Sequence, residues 1–116
     1  MELYDFLIAV IAHRPEYRNG FFKNEIQERI LERYDTHKEF FSKMGVPPHH
    51  QQGDSLRLEP ALTALIQNCV VKIWTDGVCS WAFPDNPKKY YNQNIALKLN
   101  EEERDELLGI ISEMYR

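Results

Sequence analysis

Residues 58–83 read LEPALTALIQNCVVKIWTDGVCSWAF, and the spacing of the apolar residues changes halfway along this stretch. Up to Asn68 they recur every three or four residues, and Pro60 suits the first turn of a helix. From Val70 onward, β-branched and aromatic residues flank the pair Asp76-Gly77, which strongly indicates a hairpin. The stretch therefore predicts a helix over about 58–68 that leads directly into two antiparallel strands.

Three elements are predicted upstream of this stretch. Residues 2–12 are apolar on nearly every side of a helix, so this first helix should be buried, either within the domain or against a second copy. Phe21-Phe22-Lys23 predicts a short extended piece, and Asn24 is a good N-cap for a second helix. A further short helix is predicted between Asp35 and Gly45, before a polar, proline-containing loop over 46–54.

Downstream of the hairpin, the pattern predicts one more strand and a last helix. Ile95, Leu97 and Leu99 alternate with other residues, which is typical of a short strand within 90–99. Asn100 is expected to cap the last helix, with Glu103 at the third helical position of a capping box. The fold class predicted is α+β, mainly helical, as a single domain over residues 1–116.

Helix-turn-helix followed at once by a two-stranded hairpin is the winged-helix arrangement, and particular residues carry a further resemblance. The run from Pro60 to Trp74, the Asp76-Gly77 turn and Pro87-Lys-Lys-Tyr-Tyr91 are similar to the third helix and wing of the PadR-like winged-helix transcriptional regulators. The likeness covers about residues 22–91. It implies a winged helix-turn-helix with a two-stranded wing closed by a basic-Tyr-Tyr strand, and a C-terminal helix where that family has its dimerisation helix.

For a DNA-binding regulator, the third helix would lie in the major groove of double-stranded DNA. Thr63, Gln67 and Asn68 would then face base edges, since Gln and Asn side chains pair with adenine. Phosphates would be contacted by the basic residues at the start of the helix, on the hairpin and at its base, which are Arg57, Lys72, Lys88 and Lys89.

A protein-interaction module on the same scaffold is the alternative. Its contact would be Trp74 and Trp81, which flank the hairpin turn, or the Pro-Pro-His-His segment at 47–50. The third helix carries no Arg or Lys on its outward face beyond Arg57, and the whole net charge of −4 falls in residues 100–116. These charges favour the interaction module, whereas the Lys88–Tyr91 segment favours DNA, which is the function we expect.

Assembly is predicted from the apolar helices. The first helix is apolar on nearly all sides and the last has a wide apolar face, so we expect a homodimer built from these two helices.

Other classes of function find no support in the pattern. The adjacent His49 and His50, with Asp54 nearby, would point to opposite sides of an extended loop, and His13 and His37 stand alone, so no metal site is expected. The two cysteines fit reduced, buried thiols. The sequence shows no catalytic triad, phosphate loop, secretory signal or membrane-length apolar run. We therefore expect a cytoplasmic protein that is not an enzyme and has no cofactor.

Overall fold

The structure is a computed structural model that describes residues 1–13, 21–45, 58–68, 71–73, 78–81 and 87–115. The chain is mostly helical in these ranges. Six α-helices, three short strands and one 3₁₀ turn at Ala96–Lys98 are found in the described part of the chain. Their bounds are α1 Leu3–Ala12, β1 Phe21–Phe22, α2 Lys23–Tyr34, α3 Lys38–Lys43, α4 Leu58–Gln67, β2 Val71–Ile73, β3 Val78–Trp81, α5 Pro87–Asn94 and α6 Glu101–Met114.

Helix α1 lies at the centre of the core. Every residue from Phe6 to Ala12 is buried, because α1 packs against both α4 and α5 of its own chain. Of the two burial modes that the sequence allowed, burial within the chain is the one observed. The reason for expecting a dimer contact through the first helix is therefore wrong, since residues 6–12 leave no apolar face for a second copy.

The three strands form one antiparallel sheet in the order β1-β3-β2. The predicted pairing on either side of Asp76-Gly77 is present, with Val71 opposite Trp81 and Ile73 opposite Cys79. The predicted extended piece at Phe21-Phe22 is β1, and it pairs with the other side of β3. Strand β2 is therefore an edge strand and β3 the central one, while the turn residues 74–77 lie outside the described residues.

The strand predicted within residues 90–99 is wrong. Helix α5 begins at Pro87, and the 3₁₀ turn follows at Ala96–Lys98. Proline at the first helical position has no N–H to satisfy, and Tyr91 and Ile95, four residues apart, are both buried. Lys88 and Lys89 therefore lie in the first turn of a helix and not in a strand at the base of the hairpin.

The second and third helices surround a cluster of aromatic rings. Helix α2 begins at Lys23, one residue before the predicted cap Asn24. The short helix predicted between Asp35 and Gly45 is α3, and Gly45 follows it with a φ of 82°, a left-handed conformation that glycine adopts without steric cost. The ring of Phe41 lies against three other rings, with centroid distances of 5.8 Å to Phe6, 5.5 Å to Phe40 and 5.9 Å to Tyr34.

Helix α6 begins as the sequence predicts. The N–H of Glu103 donates to Oδ1 of Asn100 at 2.8 Å, and the N–H of Asn100 donates back to Oε1 of Glu103 at 3.1 Å. This capping box satisfies two backbone donors that the helix leaves unpaired. Its inward face packs against α2 through four buried side chains, which are Leu107, Ile110, Ile111 and Met114.

Side-chain hydrogen bonds connect the end of α6 to α1, to α2 and to the residue that precedes α3. Arg29 on α2 donates to the carbonyl oxygen of Met114, and the hydroxyl of Tyr115 donates to the carbonyl oxygen of Val10 on α1 at 2.9 Å. Nε2 of His37, just before α3, lies 2.7 Å from Oε2 of Glu113. The expectation that His37 stands alone is therefore wrong, because this contact joins segments 76 residues apart. Helix α6 is thus part of the core of one chain.

Candidate nucleic-acid interface

Helix α4 has one polar, exposed side, which the sequence predicts. Thr63, Gln67 and Asn68 are exposed, whereas Leu65 is buried. Residues 63 and 67 are four positions apart and therefore lie one turn apart on the same face. Their hydroxyl and amide groups form a short polar row beside the apolar contact between α4 and α1.

The amide of Asn68 connects the end of this row to α1. Nδ2 of Asn68 donates to the hydroxyl oxygen of Tyr4 at 3.3 Å. An asparagine amide has two N–H donors and an accepting oxygen, so this bond leaves further hydrogen-bonding capacity on Asn68. The contact also fixes where the end of α4 lies, which is beside the first turn of α1.

The three predicted phosphate contacts that the structure describes are exposed but lie on two different elements. Lys72 is on the edge strand β2, which contacts α4. Lys88 and Lys89 are in the first turn of α5, which packs against α1. The positive end of a helix dipole disfavours cations, so the dipole of α5 does not stabilise these two lysines.

The candidate DNA-binding residues that the structure describes thus lie near both ends of α1. Asn68 lies by Tyr4 near its beginning, whereas Lys88 lies close enough to His13 at its end to affect the titration of that ring. Tyr4 and His13 are nine positions apart along the helix, which corresponds to about 13 Å. A DNA-binding surface that included both Asn68 and Lys88 would therefore extend at least this far, parallel to α1.

Several predicted site residues cannot be placed in this way. Arg57 and Trp74 lie outside the described residues, as do His49, His50 and Asp54. Trp81 is described only as the last residue of β3, where it is paired with Val71. The predictions for these side chains stay predictions.

His13 lies beside Tyr91 and near Lys88, which the sequence interpretation missed because it took His13 to stand alone. Its Nδ1 donates to the carbonyl oxygen of Ala9 at 2.8 Å, and its ring meets the edge of Tyr91 at a centroid distance of 4.6 Å. Burial lowers the pKa of His13, the hydrogen bond to Ala9 opposes this, and the positive charge of Lys88 lowers the pKa further. Local sequence predicted the Lys88–Tyr91 segment as part of the DNA-binding surface. The contact of Tyr91 with His13 joins residues far apart in the chain, so local sequence gives no sign of it.

The pKa values of both tyrosines in that segment are shifted from the ordinary value. Burial raises the pKa of Tyr91, whereas the charge of Arg104 lowers it. Tyr91 is 3% exposed, and its hydroxyl has no hydrogen-bond partner among the described residues. Burial also raises the pKa of Tyr90, as do the nearby Tyr4 and Asp5. Both hydroxyl groups therefore stay protonated at physiological pH. The two tyrosine rings pack in or against the core and hold α5 in place.

We expect His13 to make the stability of the protein depend on pH. The ordinary pKa of histidine is about 6.5, and the folded protein holds the value for His13 below that. As the pH falls below about 6.5, the unfolded chain takes up this proton before the folded chain does. The stabilisation associated with neutral His13 is thus complete above about pH 6.5 and is lost as the pH falls toward the folded pKa.

The measurement is urea unfolding of the wild type and of His13→Asn at about pH 7.5 and pH 5.5. The wild type should lose more free energy of unfolding between these two values than the variant does. Lys88→Ala removes the weaker of the two causes that lower the pKa of His13. The pH dependence of stability in Lys88→Ala should therefore fall between that of the wild type and that of His13→Asn. An identical pH dependence of wild type and His13→Asn would contradict the assignment.

No group of three or more His, Cys, Asp or Glu side chains among the described residues is arranged to hold a metal ion. No helix among the described elements is long and apolar enough to cross a membrane.

Comparison with protein-family models, with curated proteins and with solved structures finds no match to this chain.

Proposed function

We propose that this chain is a DNA-binding protein of the winged-helix class, with α4 as the helix that enters the major groove. The order of elements supports this class, because β1 lies between α1 and α2, and the antiparallel pair β2–β3 directly follows α4. Helix α3 is an additional short helix between α2 and α4. The pair β2–β3 would be the wing.

The observation that carries the proposal is the exposed polar row of α4. Thr63 and Gln67 stand on the side of α4 away from the buried Leu65, whereas Asn68 is exposed at the end of the helix, beside Tyr4 of α1. Amide side chains on such a helix can pair with adenine through two hydrogen bonds, and a threonine hydroxyl can both donate and accept. The row has the chemistry needed to read base edges.

The lysines on the neighbouring elements would supply the phosphate contacts. Lys72 on β2 and the pair Lys88 and Lys89 on α5 are exposed, and Arg57 would add a contact at the start of α4. A phosphate beside the first turn of α5 would be attracted by both lysines and by the helix dipole. Such contacts position the protein on DNA without specifying the sequence.

A salt titration of binding to random duplex DNA tests this proposal. Four phosphate contacts per chain, those of Arg57 and the three lysines, should give a slope of log K against log salt of about −3.6, at about −0.9 per phosphate. Lys88→Ala combined with Lys89→Ala should reduce the slope to about −1.8, since the contacts of Arg57 and Lys72 remain. The slope is measured by fluorescence anisotropy of a labelled duplex.

The matched control is Lys38→Ala combined with Lys43→Ala. These two lysines are exposed on α3, and their removal changes the net charge by the same amount. The control should leave the slope at about −3.6. No binding at about 50 mM salt, or an equal effect of both double variants, would contradict the DNA-binding proposal.

If the protein binds DNA as a homodimer, the contact between the two copies would involve α6 and not α1. Two copies would hold two α4 helices on neighbouring half-sites of DNA. Because α1 is covered within its own chain, a second copy would have to meet the outer side of α6, where Leu108 is 38% exposed.

A protein-interaction module is the second candidate, and a specific observation favours it. All six residues from Glu101 to Glu106 are exposed, and five of them are acidic. Leu97, in the 3₁₀ turn just before α6, is 78% exposed. An exposed large apolar side chain next to a strongly acidic surface is suited to a protein partner and repels DNA.

A further inference from the structure

Two adjacent hollows open where the beginnings of α1 and α6 come together. The first has a volume of about 190 Å³ and reaches α3, while the second has about 290 Å³ and reaches the 3₁₀ turn. Met1, Leu99 and Glu103 line both hollows and therefore form the ridge between them. We call the two together the double hollow.

Apolar side chains form part of the lining of both hollows. Phe40 and Met44 line the first hollow, Ile95 lines the second, and Met1 and Leu99 belong to both. Binding pockets for drug-sized molecules usually exceed about 300 Å³, so each hollow is better matched to one large apolar side chain. Two such side chains from one segment of a partner would fill the pair.

The rim of the double hollow is strongly acidic. The described residues that line it include two basic side chains, Lys43 and Lys98. Against these two stand five carboxylates, which are Glu2, Asp5, Glu102, Glu103 and Glu106.

Helix stability accounts for only part of this acidic rim. Glu103 completes the capping box, and Glu102 and Asp5 lie in first turns, where a carboxylate is favourable beside the helix dipole. Glu106 lies beyond the first turn of α6, where this effect has decayed, yet it faces the first hollow with Glu102, one turn away. Carboxylates of two different helices thus line the double hollow together with its apolar side chains.

We propose that the double hollow binds a basic, amphipathic segment of another protein. Two large apolar side chains of that segment occupy the hollows, and its Lys or Arg side chains pair with the surrounding carboxylates. Charge complementarity selects this partner, since the same carboxylates repel DNA and anionic membrane surfaces. The inference does not depend on whether α4 binds DNA.

The first test uses three labelled peptides and the complete chain, with any purification tag placed at the C-terminus because Met1 lines both hollows. One peptide repeats the heptad Leu-Lys-Lys-Leu-Leu-Lys-Lys twice. The second has Ala in place of each Leu, and the third has Glu in place of each Lys. We expect the first peptide to bind at least about tenfold more tightly than either of the others, measured by fluorescence anisotropy.

The second test locates the site with two charge-matched variants. Glu102→Gln combined with Glu106→Gln removes two carboxylates from the first hollow and should weaken binding of the Leu-Lys peptide about tenfold. Glu28→Gln combined with Glu32→Gln removes two exposed carboxylates from α2 and should change binding less than about twofold. Circular dichroism verifies that both variants are folded.

Three results would overturn the proposal. Equal binding of all three peptides would mean that neither the hollows nor the carboxylates select the ligand. Equal effects of the two double variants would mean that the peptide responds to net charge alone. A dimer in sedimentation that dissociates in Glu102→Gln/Glu106→Gln would mean that a second copy of this chain is the occupant.

Discussion

Phe41→Ala is expected to lower the free energy of unfolding by about 3–5 kcal/mol. Phe41 is fully buried, and its ring contacts those of Phe6, Phe40 and Tyr34. Replacing it with alanine removes apolar burial and leaves a cavity between α1, α2 and α3, which the surrounding rings cannot fill without moving. A domain of this size is typically stable by only about 5–15 kcal/mol, so the loss is a large share of the total.

Urea unfolding followed by far-UV circular dichroism measures this effect. Leu97→Ala is the control, since the side chain of Leu97 is 78% exposed and its truncation should change stability by less than about 0.5 kcal/mol. A loss of less than about 1 kcal/mol for Phe41→Ala would mean that the aromatic cluster is not part of the folded core in solution.

Removing α6 is expected to unfold the chain. A truncation after Asn100 deletes four buried side chains, which are Leu107, Ile110, Ile111 and Met114. At about 1.5–3 kcal/mol each, their burial contributes about 6–12 kcal/mol, which is comparable to the whole stability of such a domain. The truncated chain should therefore show no cooperative thermal transition.

This truncation separates two roles for the last helix. If α6 were an arm that only joins two copies, the remaining chain would keep a cooperative transition as a monomer. Leu108→Ser is the matched control, because Leu108 lies on the outer side of α6 and its loss should leave folding intact. Light scattering of this control at tens of micromolar reports whether the outer side of α6 holds a dimer together.

The charges of the protein orient its two proposed surfaces. The carboxylates around the double hollow lie at the beginnings of α1 and α6, whereas Lys88 lies by His13 at the end of α1. A phosphate backbone is attracted to the lysine end and repelled from the other. Asn68, however, lies beside Tyr4 at the beginning of α1, so the two proposed surfaces come close together at that end, where the carboxylates oppose DNA.

Most helices and the paired strands follow from local sequence. The capping box of α6 needs only Asn100 and Glu103, which are three residues apart. Helix α4 and the strands after it follow from a change of apolar spacing within residues 58–83. Residues 90–99 show the weakness of this approach, since three alternating apolar residues predicted a strand where Tyr91 and Ile95 anchor a helix.

The sequence by itself determined a mainly helical chain, the exposed polar row of α4 and the concentration of negative charge in residues 100–116. These properties depend on residues close together in the chain, so local spacing and charge are enough to predict them. Only the tertiary structure decided that α1 is covered within its own chain, that His13 meets Tyr91, and that two helix beginnings enclose the double hollow. Each of these requires contact between residues far apart in the sequence, such as Val10 with Tyr115, and no local pattern carries that information.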